Sequence, residues 1–165
     1  MSQRLTHIDQ TGAARMVDVG EKPVTHSTAT AEAFVRCSAA FIDAIRNNAL
    51  KKGDLLGVAR IAGIMAAKGV DRLIPLCHTL PIEDARVELL FETEGVCIIA
   101  FVATSAKTGV EMEALTAATI AALTVIGMGK ALDRSMSIER VRLLEKTGGR
   151  RGDYRVSDTS NPEAL

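Results

Sequence analysis

The stretch KTGVEMEALTAATIAALTVIGMGKALD, Lys107 to Asp133, constrains the fold more than any other. It is rich in Ala and Leu and contains no proline, which predicts a long helix. Val110, Leu115, Ala118, Ala122, Val125 and Met128 recur at helical spacing and predict one packed face. Its Ala-rich turns let a neighbouring element approach closely. Glu111 and Glu113 fall in the first turns and Lys130 in the last, where each complements the helix dipole. The two glutamates point about 200° apart around the axis. At least one must therefore lie near the packing face, where an unpaired carboxylate is costly. Gly127 and Gly129 either cap the end of the helix or mark a special position, because an interior glycine costs roughly 1 kcal/mol against alanine.

Residues 1–25 are polar, with Gly12, Gly20 and Pro23, and read as a mobile arm in which Met16–Val19 could pair briefly as a strand. Ala31–Cys37 alternates as a strand. Ser38 is placed to cap a helix carrying Phe41, Ile42 and Ile45, and Asp54 to cap the next, LLGVARIAGIMAAKG, with Gly69 as its stop. Pro75 makes LIPLCHTL a loop or short edge segment. Arg86–Thr93 and Val96–Thr104 read as a hairpin turning at Glu94-Gly95. MSIERVRLLEK is a last strand, followed by a glycine-rich basic loop and a polar tail from 157 to 165. Strand, two helices, hairpin, helix and strand fit one α+β domain over 26–156, a ferredoxin-like sandwich with helices on one face of an antiparallel sheet.

A chain of 165 residues supports one sizeable core, and 3% aromatic content without Trp makes that core aliphatic and Ala-rich. Zero net charge argues against a general nucleic-acid surface. Cys37, Cys77 and Cys97 are odd in number and lack metal-ligand spacing, so they read as free thiols of a reducing compartment. The N-terminus carries no apolar signal region, and no apolar run reaches the roughly 20 residues of a membrane span. A cytoplasmic protein without membrane partners is expected.

Polar groups gather at element ends. Lys146, Arg150 and Arg151 flank Gly148-Gly149, whose backbone N–H groups could face an anion; a solvated turn is the simpler account of the same residues. Lys107-Thr108-Gly109 lacks the earlier glycine and spacing of a nucleotide-binding loop. Cys77 beside His78 makes an awkward metal pair, and no metal site is expected. His78 is better suited to donate to an anion or carry a proton near neutral pH. A long helix separates Glu113 from Lys130, so a small ligand could meet both only across a symmetric subunit interface.

IPLCHTL, KTGVEMEALTAA, KKGDLLGVARIAGIMAAK and VRLLEKTGG together resemble the molybdenum cofactor biosynthesis protein C family, the cyclic pyranopterin monophosphate synthases. The resemblance runs from about Leu5 to Tyr154. It implies a ferredoxin-like fold and a homohexamer, a trimer of dimers with interfacial sites. It implies conversion of 3′,8-cyclo-7,8-dihydroguanosine 5′-triphosphate, a GTP-derived nucleotide, to cyclic pyranopterin monophosphate with release of pyrophosphate. No redox cofactor is implied, although Mg²⁺ could accompany the triphosphate. Leu76, Cys77 and His78 match the family's substrate-binding loop, and Met112 and Glu113 its second binding pair, beside Glu111. Lys52, Lys130 and Lys146 match its functional lysines.

Two positions depart from the family pattern. Where the family has Tyr-Asp-Met-x-Lys, this chain has Ile126-Gly127-Met128-Gly129-Lys130, so Gly127 occupies the position of the active-site Asp. Ser27 lies near the usual position of an Arg. Two readings follow, a working synthase and a catalytically impaired member that binds the nucleotide or serves as an assembly partner. Survival of Lys52, His78, Glu113 and Lys130 favours the first.

Overall fold

The computed structural model describes residues 7–9, 11–47, 53–149 and 152–157. The elements in chain order are β1 (Thr25–Arg36), α1 (Ala39–Arg46), α2 (Leu55–Ala67), a 3₁₀ turn (Val70–Arg72), β2 (Ile82–Glu92), β3 (Gly95–Ala106), α3 (Glu111–Gly129), β4 (Ser137–Thr147) and β5 (Tyr154–Arg155). The sheet is open and antiparallel, in the order β2-β3-β1-β4-β5. The first four strands with the helices between them reproduce the ferredoxin-like topology.

The caps are where the sequence placed them. Ser38 accepts from the Phe41 amide to start α1, and Asp54 from the Gly57 amide to start α2. Several boundaries differ from expectation. β1 begins six residues earlier than Ala31, because Thr25–Thr30 pair on both sides with β3 and, from Thr28, with β4. Met16–Val19 form no strand; the described arm contains one isolated bridge, Ile8 to Ala14. α2 ends on Lys68 rather than Gly69, which instead precedes the 3₁₀ turn. α3 is shorter than Lys107–Asp133, starting after Val110 and ending with Lys130 as its C-cap. Its glycines are inside the helix: a Cβ on Gly129 would meet the Phe41 ring at 2.3 Å, so close packing accounts for that residue. β5 was not anticipated.

The core is built from small side chains. Ala29, Ala31, Ala33 and Val35 of β1 face Ala114, Ala117, Ala118, Ala121, Ala122 and Val125 of α3, all at most 1% exposed. Of the six residues expected on the packed face, Val110, Ala118, Ala122 and Val125 are buried, while Leu115 and Met128 cover the margin. α2 crosses α3 closely, and a Cβ on Gly63 would lie 2.9 Å from the Ala117 carbonyl oxygen. α3 is long and apolar enough by composition to cross a membrane, yet it lies against the sheet as the core helix.

Two bulges in β4 decide which side chains face the helices. Val35 pairs with Ile138 and Ala33 with Val141, so one extra residue lies between them. A second irregularity lets Ala31 pair with Leu143 but Ala29 with Lys146. Strict alternation from Leu143 would turn Lys146 to the open face. The extra residue turns it to the helix face.

Candidate active site

That turn delivers Lys146 to the first turn of α3, where its Nζ lies 3.2 Å from Glu111 Oε1. The pair sits in a cavity of about 600 Å³ between the start of α3, the end of β4, the His78 loop and the arm. Lys22, Lys107, Lys146, His7 and His78 line it, with Glu111 as the carboxylate among the described lining residues. The N-terminus of α3 adds the positive end of its dipole, and Val110 makes no side-chain cap there. A cavity so furnished suits an anion. Gly148 and Gly149 form one wall with φ of +81° and +77°, a conformation that disfavours any other residue. A Cβ on Gly148 would lie 2.4 Å from the His26 carbonyl oxygen.

The arm is tied to the cavity lining by two hydrogen bonds, one to His78 and one to Lys107. His78 Nε2 lies 2.8 Å from the Val17 carbonyl oxygen. A carbonyl only accepts, so Nε2 carries the proton. Lys107 Nζ donates to the Gly20 carbonyl oxygen at 2.6 Å. Lys22 and Pro23 of the arm line the same space. Sequence reasoning assigned no site role to Lys22, Lys107 or His7, because nothing in the arm's composition marks where it folds back.

Glu113 is the buried member of the glutamate pair, 3% exposed, as the 200° divergence required of one of them. Burial raises its carboxyl to a pKa of about 7, and the neighbouring charges of Glu111 and Asp71 add to the effect. A carboxyl balanced near neutrality can both take and release a proton. Cys77 belongs to the same neighbourhood: burial first, then Glu113 and Asp71, push its thiol above the usual range. The thiol form is therefore favoured, which speaks against a thiolate nucleophile. Leu76 beside it has φ of +66°, a strained conformation for a branched residue that costs on the order of 1–3 kcal/mol.

Sequence-derived candidates thus divide into groups. Glu111, His78 and Lys146 line one cavity. Glu113 and Cys77 influence each other electrostatically, with Leu76 next in the loop and exposed Met112 on the outer side of α3. Gly127 and Lys130 lie at the other end of α3, about 24 and 28 Å from Glu111 by helical rise. Lys52, Arg150 and Arg151 lie outside the described residues. Ser27 is buried with no hydrogen-bond partner for its Oγ among the described residues, and it faces Gly148.

A family model described as the MoaC family matches residues 16–149. The chain belongs to the MoaC family. Its match includes the arm from Met16, the His78 loop, α3 and the glycine wall, so the family region contains most of the cavity lining. Curated relatives extend the likeness to nearly the whole chain. One from Streptomyces griseus is 53% identical over 161 residues, 98% of this chain and 91% of the relative. One from Novosphingobium aromaticivorans is 50% identical over 154 residues, 93% and 98% of the two chains. One from Thermomicrobium roseum is 51% identical over 156 residues, 93% and 94%. Each is named cyclic pyranopterin monophosphate synthase.

Proposed function

We propose that this chain is a cyclic pyranopterin monophosphate synthase of molybdenum cofactor biosynthesis, a lyase of the phosphorus–oxygen type. Its substrate is 3′,8-cyclo-7,8-dihydroguanosine 5′-triphosphate and its second product is pyrophosphate. The observation that carries this reading is the cation-lined cavity beside a buried carboxyl poised near pH 7. Forming a cyclic monophosphate from a triphosphate requires a substrate hydroxyl to attack the α-phosphorus and expel pyrophosphate. Lys146, Lys107 and Lys22 supply charge for the departing phosphates. Ring opening and pterin closure need protons moved on and off carbon, nitrogen and oxygen, and Glu113 suits that exchange.

Lys130 and the Gly127 position lie too far along α3 to serve the same cavity within one subunit. A neighbouring subunit that brings the end of its α3 to this cavity completes the set, consistent with a homohexamer arranged as a trimer of dimers. The chain acts in the cytoplasm on this reading. An impaired, binding-only protein is the second reading, and Gly127 is the observation in its favour. Single-turnover conversion of the cyclised nucleotide by the purified chain decides between them. Product with stoichiometric pyrophosphate supports the synthase, and binding without turnover supports the second reading.

A further inference from the structure

The loop carrying Leu76, Cys77 and His78 is held at both ends by its own chain. At its start, the Leu73 and Ile74 amides donate to the Val70 carbonyl oxygen at 2.9 and 2.8 Å. At its far end, the Thr79 hydroxyl donates to Asp71 Oδ2 at 2.6 Å, closing the chain on itself across eight residues. Inside the closed segment the Cys77 amide reaches the Ile74 carbonyl oxygen only at 3.4 Å, and Leu76 holds its strained φ. A strained residue persists where its surroundings over-determine it. The hydroxyl-to-carboxylate bond is short and charge-assisted, and it holds the loop to its own chain while the 2.8 Å bond from His78 Nε2 to the Val17 carbonyl oxygen ties the same loop to the arm.

We infer that Asp71 is a positioning residue for the Leu76–His78 loop, acting through its hydrogen bond to Thr79. The inference rests on that loop belonging to the substrate site. Asp71 and Thr79 are both exposed, so the bond adds little to global stability and its loss loosens the loop without unfolding the domain. Asp71 also faces the chemistry electrically. Glu113 is approached by Glu111 from its own helix, by Asp71 from the 3₁₀ turn and by Cys77 from the loop.

Three substitutions separate the clasp from the charge. Thr79→Val removes the donor and keeps the carboxylate. Asp71→Asn keeps an acceptor and removes the charge. Asp71→Ala removes both. The readouts are KM and kcat across pH, amide hydrogen exchange over residues 73–79, and alkylation of Cys77, since Cys37 and Cys97 are buried.

Thr79→Val and Asp71→Ala are expected to raise KM about tenfold with kcat within about threefold, and to speed loop exchange by a similar factor. Thr79→Ser restores both. The Asp71→Ala/Thr79→Val double variant is no worse than Asp71→Ala, because one bond is broken only once. Asp71→Asn keeps KM near normal but moves the Glu113-dependent pH limb and the Cys77 alkylation profile to lower pH. Natural KM and loop exchange in Thr79→Val, or additive single effects, would overturn the inference. Exchange and alkylation need no turnover, so an inactive natural chain would sink the synthase reading while the clasp is still judged. Faster loop exchange with unchanged KM in an active enzyme would leave the bond structural and refute positioning.

Discussion

Lys146 and Glu111 meet across 3.2 Å, joining the last residues of β4 to the first turn of α3 in the lining of the cavity. The lysine is the more buried partner, with 17% of its side chain exposed against 34% for the glutamate. Lys146→Met should lower kcat/KM by about 10² or more, because it removes a cation from the anion site. Stability should change by no more than about 1 kcal/mol, as expected for a partly exposed pair. Steady-state kcat/KM with pyrophosphate inhibition, measured beside a urea melt, checks both halves, and unchanged kcat/KM and inhibition would remove Lys146 from the anion site.

Glu113 should impose a pH dependence on stability. Its carboxyl holds a proton up to about pH 7 when folded but only to the ordinary 4.5 when unfolded. Between these values the folded state binds more protons. The group's favourable contribution is therefore full below about pH 4.5 and lost as pH rises through 7. The loss is at most about 3–4 kcal/mol. Glu113→Gln should flatten that slope and gain stability at pH 8, while slowing turnover by about 10² or more. Denaturant melts at pH 5 and pH 8 give the slope, and an identical slope in the variant would refute the assignment.

The Gly127 position accepts a side chain, since nothing lies within 4 Å of where a Cβ would stand. Gly127→Ala should stabilise the helix by roughly 0.5–1 kcal/mol. Gly127→Asp should gain less, because a carboxylate near the C-terminus opposes the dipole, although Lys130 three residues on offsets part of that. A working synthase should gain less than about tenfold in single-turnover rate from Gly127→Asp. A rise of about 10² or more would show that glycine impairs the natural chain.

Asp133 links the turn after α3 to the start of α1. Its carboxylate accepts from the Ser38 amide at 2.7 Å, the Ser135 amide at 2.9 Å and the Ser135 hydroxyl at 2.6 Å. These bonds, the Ser135 hydroxyl first, hold its pKa at about 2. The depressed value means its contribution is present above the ordinary 3.8 and lost as pH falls toward 2. Asp133→Ala should cost about 2 kcal/mol, through two orphaned amides. A thermal melt at pH 7 tests it, and a shift of under 1 °C would contradict the capping role.

Local rules were enough to read much of this protein from its residues. Ser38 and Asp54 cap because short oxygen-bearing side chains meet exposed amides at helix starts, and the angular divergence of Glu111 and Glu113 forced one carboxylate inward. The aliphatic, Ala-rich core follows from composition, and the family motifs are contiguous strings legible without coordinates. Tertiary structure decided what depends on register and on distant partners. Bulges in β4 turned Lys146 toward α3, and a one-residue slip of that kind leaves no mark in periodicity. The arm's return over the cavity, through the Val17 and Gly20 carbonyls, is made by backbone groups that every sequence possesses. The extent of α3 is also tertiary: its Ala-rich residues favour helix throughout, yet the helix runs from Glu111 to Gly129, where the Phe41 ring packs against its last residue.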